Sequence, residues 1–183
     1  MTAAIFLVFA FLWQTTPAIP ADAVIQAELK KEITSRRSHS GQDVRLVVEA
    51  DLKNADGTVL IPEGARLSGK LTTVRKHKGD EPAVVSFVVD KAEWKGGSVA
   101  LNATIDRLLL MGMPGGSAAC GPNLNNANMA NCGSSAPQVQ RVPADCKVDK
   151  VDEGMAVVCA KREIELNPGA RIDLKNNAAK TGS

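Results

Sequence analysis

The pattern of this chain predicts an all-β domain, a small antiparallel barrel or alternatively a sandwich, and three observations predict it. Over residues 44–52, apolar and polar side chains alternate with a period of two, as a strand with one buried face requires. Further β-branched runs follow at close spacing, separated by turn residues, as in an antiparallel meander closed on itself or folded in two. Helix pattern is scarce, and only residues 27–35 read as a short amphipathic helix of one or two turns.

The first element is not part of that domain. Residues 3–13 are eleven consecutive apolar residues, followed by a polar, proline-bearing stretch and then Ala21-Asp22-Ala23. An apolar core followed by a small-residue site is the layout of a cleavable signal peptide, here residues 1–23. Eleven helical residues rise only about 16 Å, against a hydrocarbon core of about 30 Å. The expectation is therefore a periplasmic or secreted product with no stable membrane span. The n-region, Met1-Thr2, is uncharged, unlike the usual basic start.

Cleavage after Ala23 would leave Phe87 and Trp94 as the only aromatic residues. It would also remove Asp22, so that 22 Lys and Arg face 19 of the original 20 Asp and Glu, a formal charge of +3. That balance is too small and too mixed for a nucleic-acid partner.

The mature chain then reads as one domain over residues 24–175. After the alternating strand, Asp56-Gly57 marks a hairpin leading into the short strand Val59–Ile61. Strands follow at Arg66–Arg75, 83–89 and 98–105, the last extended through residues 108–111. Residues 112–143 hold five Gly, five Asn and four Pro with few large apolar side chains, too little to offset their own ordering entropy. A long Gly/Asn-rich cystine loop is expected over 112–145. Strand pattern resumes at Cys146–Val151, 155–160, 163–166 and 170–174, and residues 176–183 read as a frayed tail.

The four cysteines are Cys120, Cys132, Cys146 and Cys159. None forms a C-x-x-C pair, which argues against zinc, and an even number in an exported chain suggests disulfides. Three connectivities are open, besides free thiols. The local one, Cys120–Cys132 with Cys146–Cys159, is preferred because a turn at Asp152-Glu153 would set Cys146 opposite Cys159 across an antiparallel pair.

Catalytic patterns are weak. His39 lies in a Ser/Arg-rich connection and His77 in the basic tip Arg75-Lys76-His77-Lys78, with no third member to complete a triad. Asp51, Asn54, Asp56 and Gly57 fit a hairpin turn better than a calcium loop, since Leu52 stands where a ligand is needed. The expectation is a non-enzyme without cofactor or metal. Two candidate contact features remain: Trp94 beside the Gly96-Gly97 turn, and the tip formed by Arg75, Lys76, His77 and Lys78, suited to a glycan or an anionic polymer.

One stretch resembles a known family. Asp56-Gly57-Thr58-Val59-Leu60-Ile61-Pro62-Glu63-Gly64-Ala65-Arg66-Leu67-Ser68-Gly69 is similar to a motif in the C-terminal periplasmic barrel of TrbI-like conjugation proteins. Those proteins are scaffold subunits linking inner and outer membranes in type IV secretion systems. Ile25-Gln26-Ala27-Glu28-Leu29, the positions Ser35, Gly41 and Val44, and Leu166-Asn167-Pro168-Gly169-Ala170-Arg171-Ile172 extend the likeness. In physical terms Pro62 ends a strand, Gly64 permits a reversal and Gly69 permits close strand approach. The resemblance implies a barrel fold and a non-enzymatic envelope role with envelope or secretion-system partners, the oligomeric state staying open. The Gly/Asn-rich loop stands where the family carries a helical pair that crosses the outer membrane, so a channel is not implied.

Overall fold

Eight strands of one antiparallel sheet wrap until the sixth and seventh in chain order meet, closing a six-stranded barrel. The computed structural model describes residues 19–110, 142–151 and 154–177, and of Leu110 only the backbone. Around the barrel the order is β6 (Arg66–Arg75), β3 (Asp43–Val48), β1 (Val24–Leu29), β12 (Arg171–Asn176), β8 (Gly97–Leu110) and β7 (Ala83–Trp94), with β7 returning to β6. The sheet then continues from the first half of β7 into β10 (Gly154–Cys159) and β9 (Cys146–Val151). Two small ladders sit at the ends: β2 (Ile33–Thr34) with β11 (Glu165–Leu166), and β4 (Leu52–Lys53) with β5 (Val59–Ile61). The barrel, not the sandwich, is the fold.

Alternation explains the interior. Ile25, Ala27 and Leu29 of β1 and Val44, Leu46 and Val48 of β3 point inward to meet Leu67, Leu71, Phe87, Ile105, Ile172 and Leu174. In a six-stranded barrel these side chains fill the lumen. The first five residues of β7 are all buried, four of them apolar and the other, Ser86, hydrogen-bonded through its hydroxyl to Thr72 at 2.6 Å, so burial here does not alternate.

Several elements differ from the sequence expectation. Residues 27–35 form no helix but the end of β1, a three-residue connection, β2 and the start of a turn: Leu29 N–H donates to Ala170 O and Lys30 N–H to Arg45 O, and β-pairing on both edges of β1 overrides local helix propensity. The long alternating strand breaks after Val48, where Gly64 N–H donates to Val48 O and Val48 N–H to Ala65 O, and resumes only at β4. Asn176, expected in the tail, is the buried last residue of β12, and Asn177 N–H donates to Asn102 O. The Gly/Asn-rich loop from 112 to 141, with Cys120 and Cys132, lies outside the described residues, as do Asp152 and Glu153. The pairing on either side of that turn sets Cys146 opposite Cys159, and the two are joined in a disulfide.

Candidate functional site

The β6–β7 hairpin spans the barrel and carries a candidate surface at each end. Arg66 pairs with Glu93 at one end, and Arg75 with Val84 at the other. Nine residues of strand separate them, or about 30 Å. Trp94 and the basic tip are therefore not one site, and the structure does not bring them together.

At the Trp94 end, the family-like motif builds the wall of a groove. Asn54 and Asp56 turn the chain, both side chains accepting from Thr58 N–H at 2.9 and 3.0 Å. Those bonds, the backbone N–H of Thr58 foremost, hold the Asp56 carboxyl below its ordinary pKa. Asp51 Oδ1 likewise accepts from Glu63 N–H at 2.9 Å. Gly57 adopts φ +87°, Ile61 is fully buried, and Pro62 leads into Gly64 at φ +79°. Opposite, the two-residue turn Lys95-Gly96 closes β7 onto β8. The half-buried Trp94 indole lies against Gly97, where a side chain would come within 3.0 Å of the ring. Between the two walls runs an open groove of about 510 Å³, lined by Pro62, Glu63, Arg66, Glu93, Trp94 and Lys95. A smaller depression of about 250 Å³ adjoins it, bearing Glu28, Glu49 and Glu63. Glu49 is paired with Arg171 at 2.9 Å.

The other end is basic outside and tied together beneath. Lys78 and Glu81 exchange backbone hydrogen bonds across the tip, and His77 Nδ1 donates to Glu81 O at 3.0 Å. Arg75, Lys76 and Lys78 surround an open depression of about 480 Å³ with Glu81 and Pro82. His39 is exposed in its connection.

Sequence reasoning missed the residue that anchors this end. Glu163 Oε2 accepts from the Ser35 hydroxyl and, at 3.2 Å, from His77 N–H, while Arg36 lies 3.6 Å from the other oxygen. Ser35 is fully buried, and its oxygen also accepts Ile164 N–H at 2.9 Å. The Ser35 bond is the first cause that holds the Glu163 carboxyl below its ordinary pKa. The partners are 128 residues apart, and no local pattern signals them. Nearby, the Cys146–Cys159 bridge fastens the base of the β9–β10 hairpin, and Arg162 Nε reaches Asp145 at 2.8 Å.

This arrangement defines a small closed antiparallel β-barrel domain with a cystine-clamped hairpin and an aromatic groove at one end. No family model and no curated protein matches the chain. Among solved structures it is similar to ComB10 of the Com type IV secretion system of Helicobacter pylori, with 20% sequence identity, a TM-score of 0.45 and 87% of each chain covered. No helix among the described residues is long and apolar enough to cross a membrane.

Proposed function

We propose that this chain is an exported, non-catalytic barrel domain acting as a scaffold or interaction module of the bacterial cell envelope, within a secretion or conjugation assembly. The observation that carries the reading is the disulfide-fastened β9–β10 hairpin. A structural disulfide belongs to an oxidising compartment, which agrees with the N-terminal leader pattern. The hairpin also extends the sheet beyond the closed barrel, and β9 is its outermost strand among the described residues. Such an edge can accept a strand from another chain, so an assembly subunit has a use for it that a free-standing barrel lacks. The likeness of residues 56–69 to TrbI-like proteins supports the kind of assembly.

The test is in vivo cross-linking of the tagged chain, followed by identification of what is joined to it in the envelope fraction. Envelope or secretion-system proteins are expected. A chain confined to the cytosol with free thiols, or one in the envelope joined to no protein, would refute the reading.

A second reading is favoured by the Trp94 groove, where an indole lies among Arg66, Lys95, Glu63 and Glu93 as a platform for a glycan, an anionic polymer suiting the Arg75–Lys78 tip instead. Trp94 is the only Trp once Trp13 leaves with the leader. Titration of cell-wall glycans against its fluorescence separates the readings: a saturable change with no protein partners favours binding over scaffolding.

A further inference from the structure

The sequence pattern places leader cleavage after Ala23, but the structure gives residues 19–23 a place in the folded domain. We infer that the leader is removed at the Ala18–Ile19 bond and that residues 19–23 remain as a structural part of the barrel. This rests on the export reading.

Ile19 is half-buried and packs against the core. Ala23 N–H donates to Pro20 O at 3.3 Å, closing a turn in which Asp22 takes φ +67°. That turn is docked on the end of β12. Asp22 N–H donates to Asn176 O, and Asn176 N–H to Ala23 O, both at 2.8 Å. The Asn176 side chain completes the attachment. Its Nδ2 donates to Pro20 O at 3.0 Å and to Ile19 O at 3.3 Å, while its Oδ1 accepts from Asn102 N–H at 3.2 Å. Asp22 also pairs with Lys175 at 2.8 Å.

Asn176 is only 6% exposed. Cutting after Ala23 would remove both acceptors of a buried amide, the donor to its backbone carbonyl, and the carboxylate beside Lys175. A buried donor deprived of its acceptors is destabilising, so a fold built with residues 19–23 in place argues against their loss. Cutting after Ala18 keeps every one of these contacts. The sequence there also meets the requirement of the protease: Thr16-Pro17-Ala18 puts small residues at the last and third-last positions of an 18-residue leader. Ala21 offers another small residue, but cleavage there would discard Ile19 and Pro20, the acceptors of the Asn176 amide.

The experiment is N-terminal sequencing and intact mass of the chain recovered from the periplasm of a secreting host. An N-terminus at Ile19 is expected. An N-terminus at Asp22 or Val24 would overturn the inference while leaving export standing, and an intact Met1 would overturn both. A second measurement tests the structural role directly. A chain begun at Val24 should melt roughly 4–8 °C below one begun at Ile19, as loss of about two net hydrogen bonds predicts for a domain of this size. With Asn176→Ala in both chains the gap should narrow. Equal melting of the two unsubstituted chains would overturn the role assigned to residues 19–23.

Discussion

Gly69 of β6 runs so close to Val88 of β7 that a Cβ at Gly69 would lie 2.1 Å from the Val88 carbonyl oxygen and 2.7 Å from the Val89 Cα. The β6–β7 register shifts at this point, between Ser68 and Gly69. Only glycine allows the two backbones to meet there, and this pairing is the one that closes the barrel. Because the obstacle is backbone, it cannot rotate away. Gly69→Ala is expected to cost about 2–3 kcal/mol, lowering Tm by about 5–10 °C. Gly57→Ala is the control. Its φ of +87° is unfavourable, but nothing lies within 4 Å, so about 1 kcal/mol is expected. Equal losses in thermal melts would show that the close approach is not what Gly69 provides.

The Cys146–Cys159 bridge closes a short loop, with a sequence separation of 13. A loop of this size confines the unfolded chain by about 3 kcal/mol in the chain-entropy account. The double variant Cys146→Ser, Cys159→Ser should lose most of that in a denaturant titration. It avoids the ambiguity of adding reductant, which would act on every cystine in the chain. The loss should fall first on the β9–β10 hairpin, so hydrogen exchange should quicken there before it does in β1 or β3. Uniform quickening across the barrel would show that the hairpin is not a separately opening unit.

Ser35 and Glu163 fasten the two ends of the chain to each other at the basic end of the barrel. Ser35→Ala removes the donor to Glu163 and leaves the Ile164 N–H without its acceptor, an expected cost of about 1–3 kcal/mol. The pH dependence has a definite sign. The Glu163 carboxyl is depressed below its reference value of 4.5 in the fold. Its stabilisation is therefore present above that value and is lost as pH falls through the lower folded pKa. Wild type should exceed Glu163→Gln in stability at neutral pH, and the gap should close on acidification. A gap that stays constant with pH would mean that the charge on Glu163 contributes nothing.

How much of this was legible in sequence depends on the distance over which each feature is decided. The bounds of β6, Arg66 to Arg75, follow from flanking turn residues and alternation, all of them local. The Cys146–Cys159 pairing followed from a single hairpin register. Trp94 and the Arg75–Lys78 tip were both recognisable as turn-flanking residues, yet composition could not show that β6 and β7 place them at opposite ends. Glu163 was one acidic residue among many until the fold set it against Ser35. Residues 19–23 fit a leader by pattern, and only their contacts with Asn176, more than 150 residues away, show a place in the fold. Asp173 was equally invisible, since alternation along β12 gives it an outward position and yet it is only 7% exposed.

Asp173 carries the last prediction. It sits on β12 between Gln26 of β1 and Arg107 of β8, and its Oδ1 has no hydrogen-bond partner. Burial pushes its carboxyl above the reference value of 3.8; the charge of Arg107 opposes this and that of Asp106 adds to it. A carboxyl whose pKa is raised on folding favours the native state below the unfolded value, and that advantage is lost as pH rises through the folded pKa. Asp173→Asn should therefore be more stable than wild type at neutral pH, by about 1 kcal/mol if the unpaired oxygen sets the scale. The difference should vanish below about pH 3.8. Arg107 supplies the compensating charge, so Arg107→Ala should destabilise wild type and have little effect in the Asp173→Asn background. A double-mutant cycle reads this coupling. If Arg107→Ala costs the same in both backgrounds, the guanidinium stabilises the barrel through something other than Asp173.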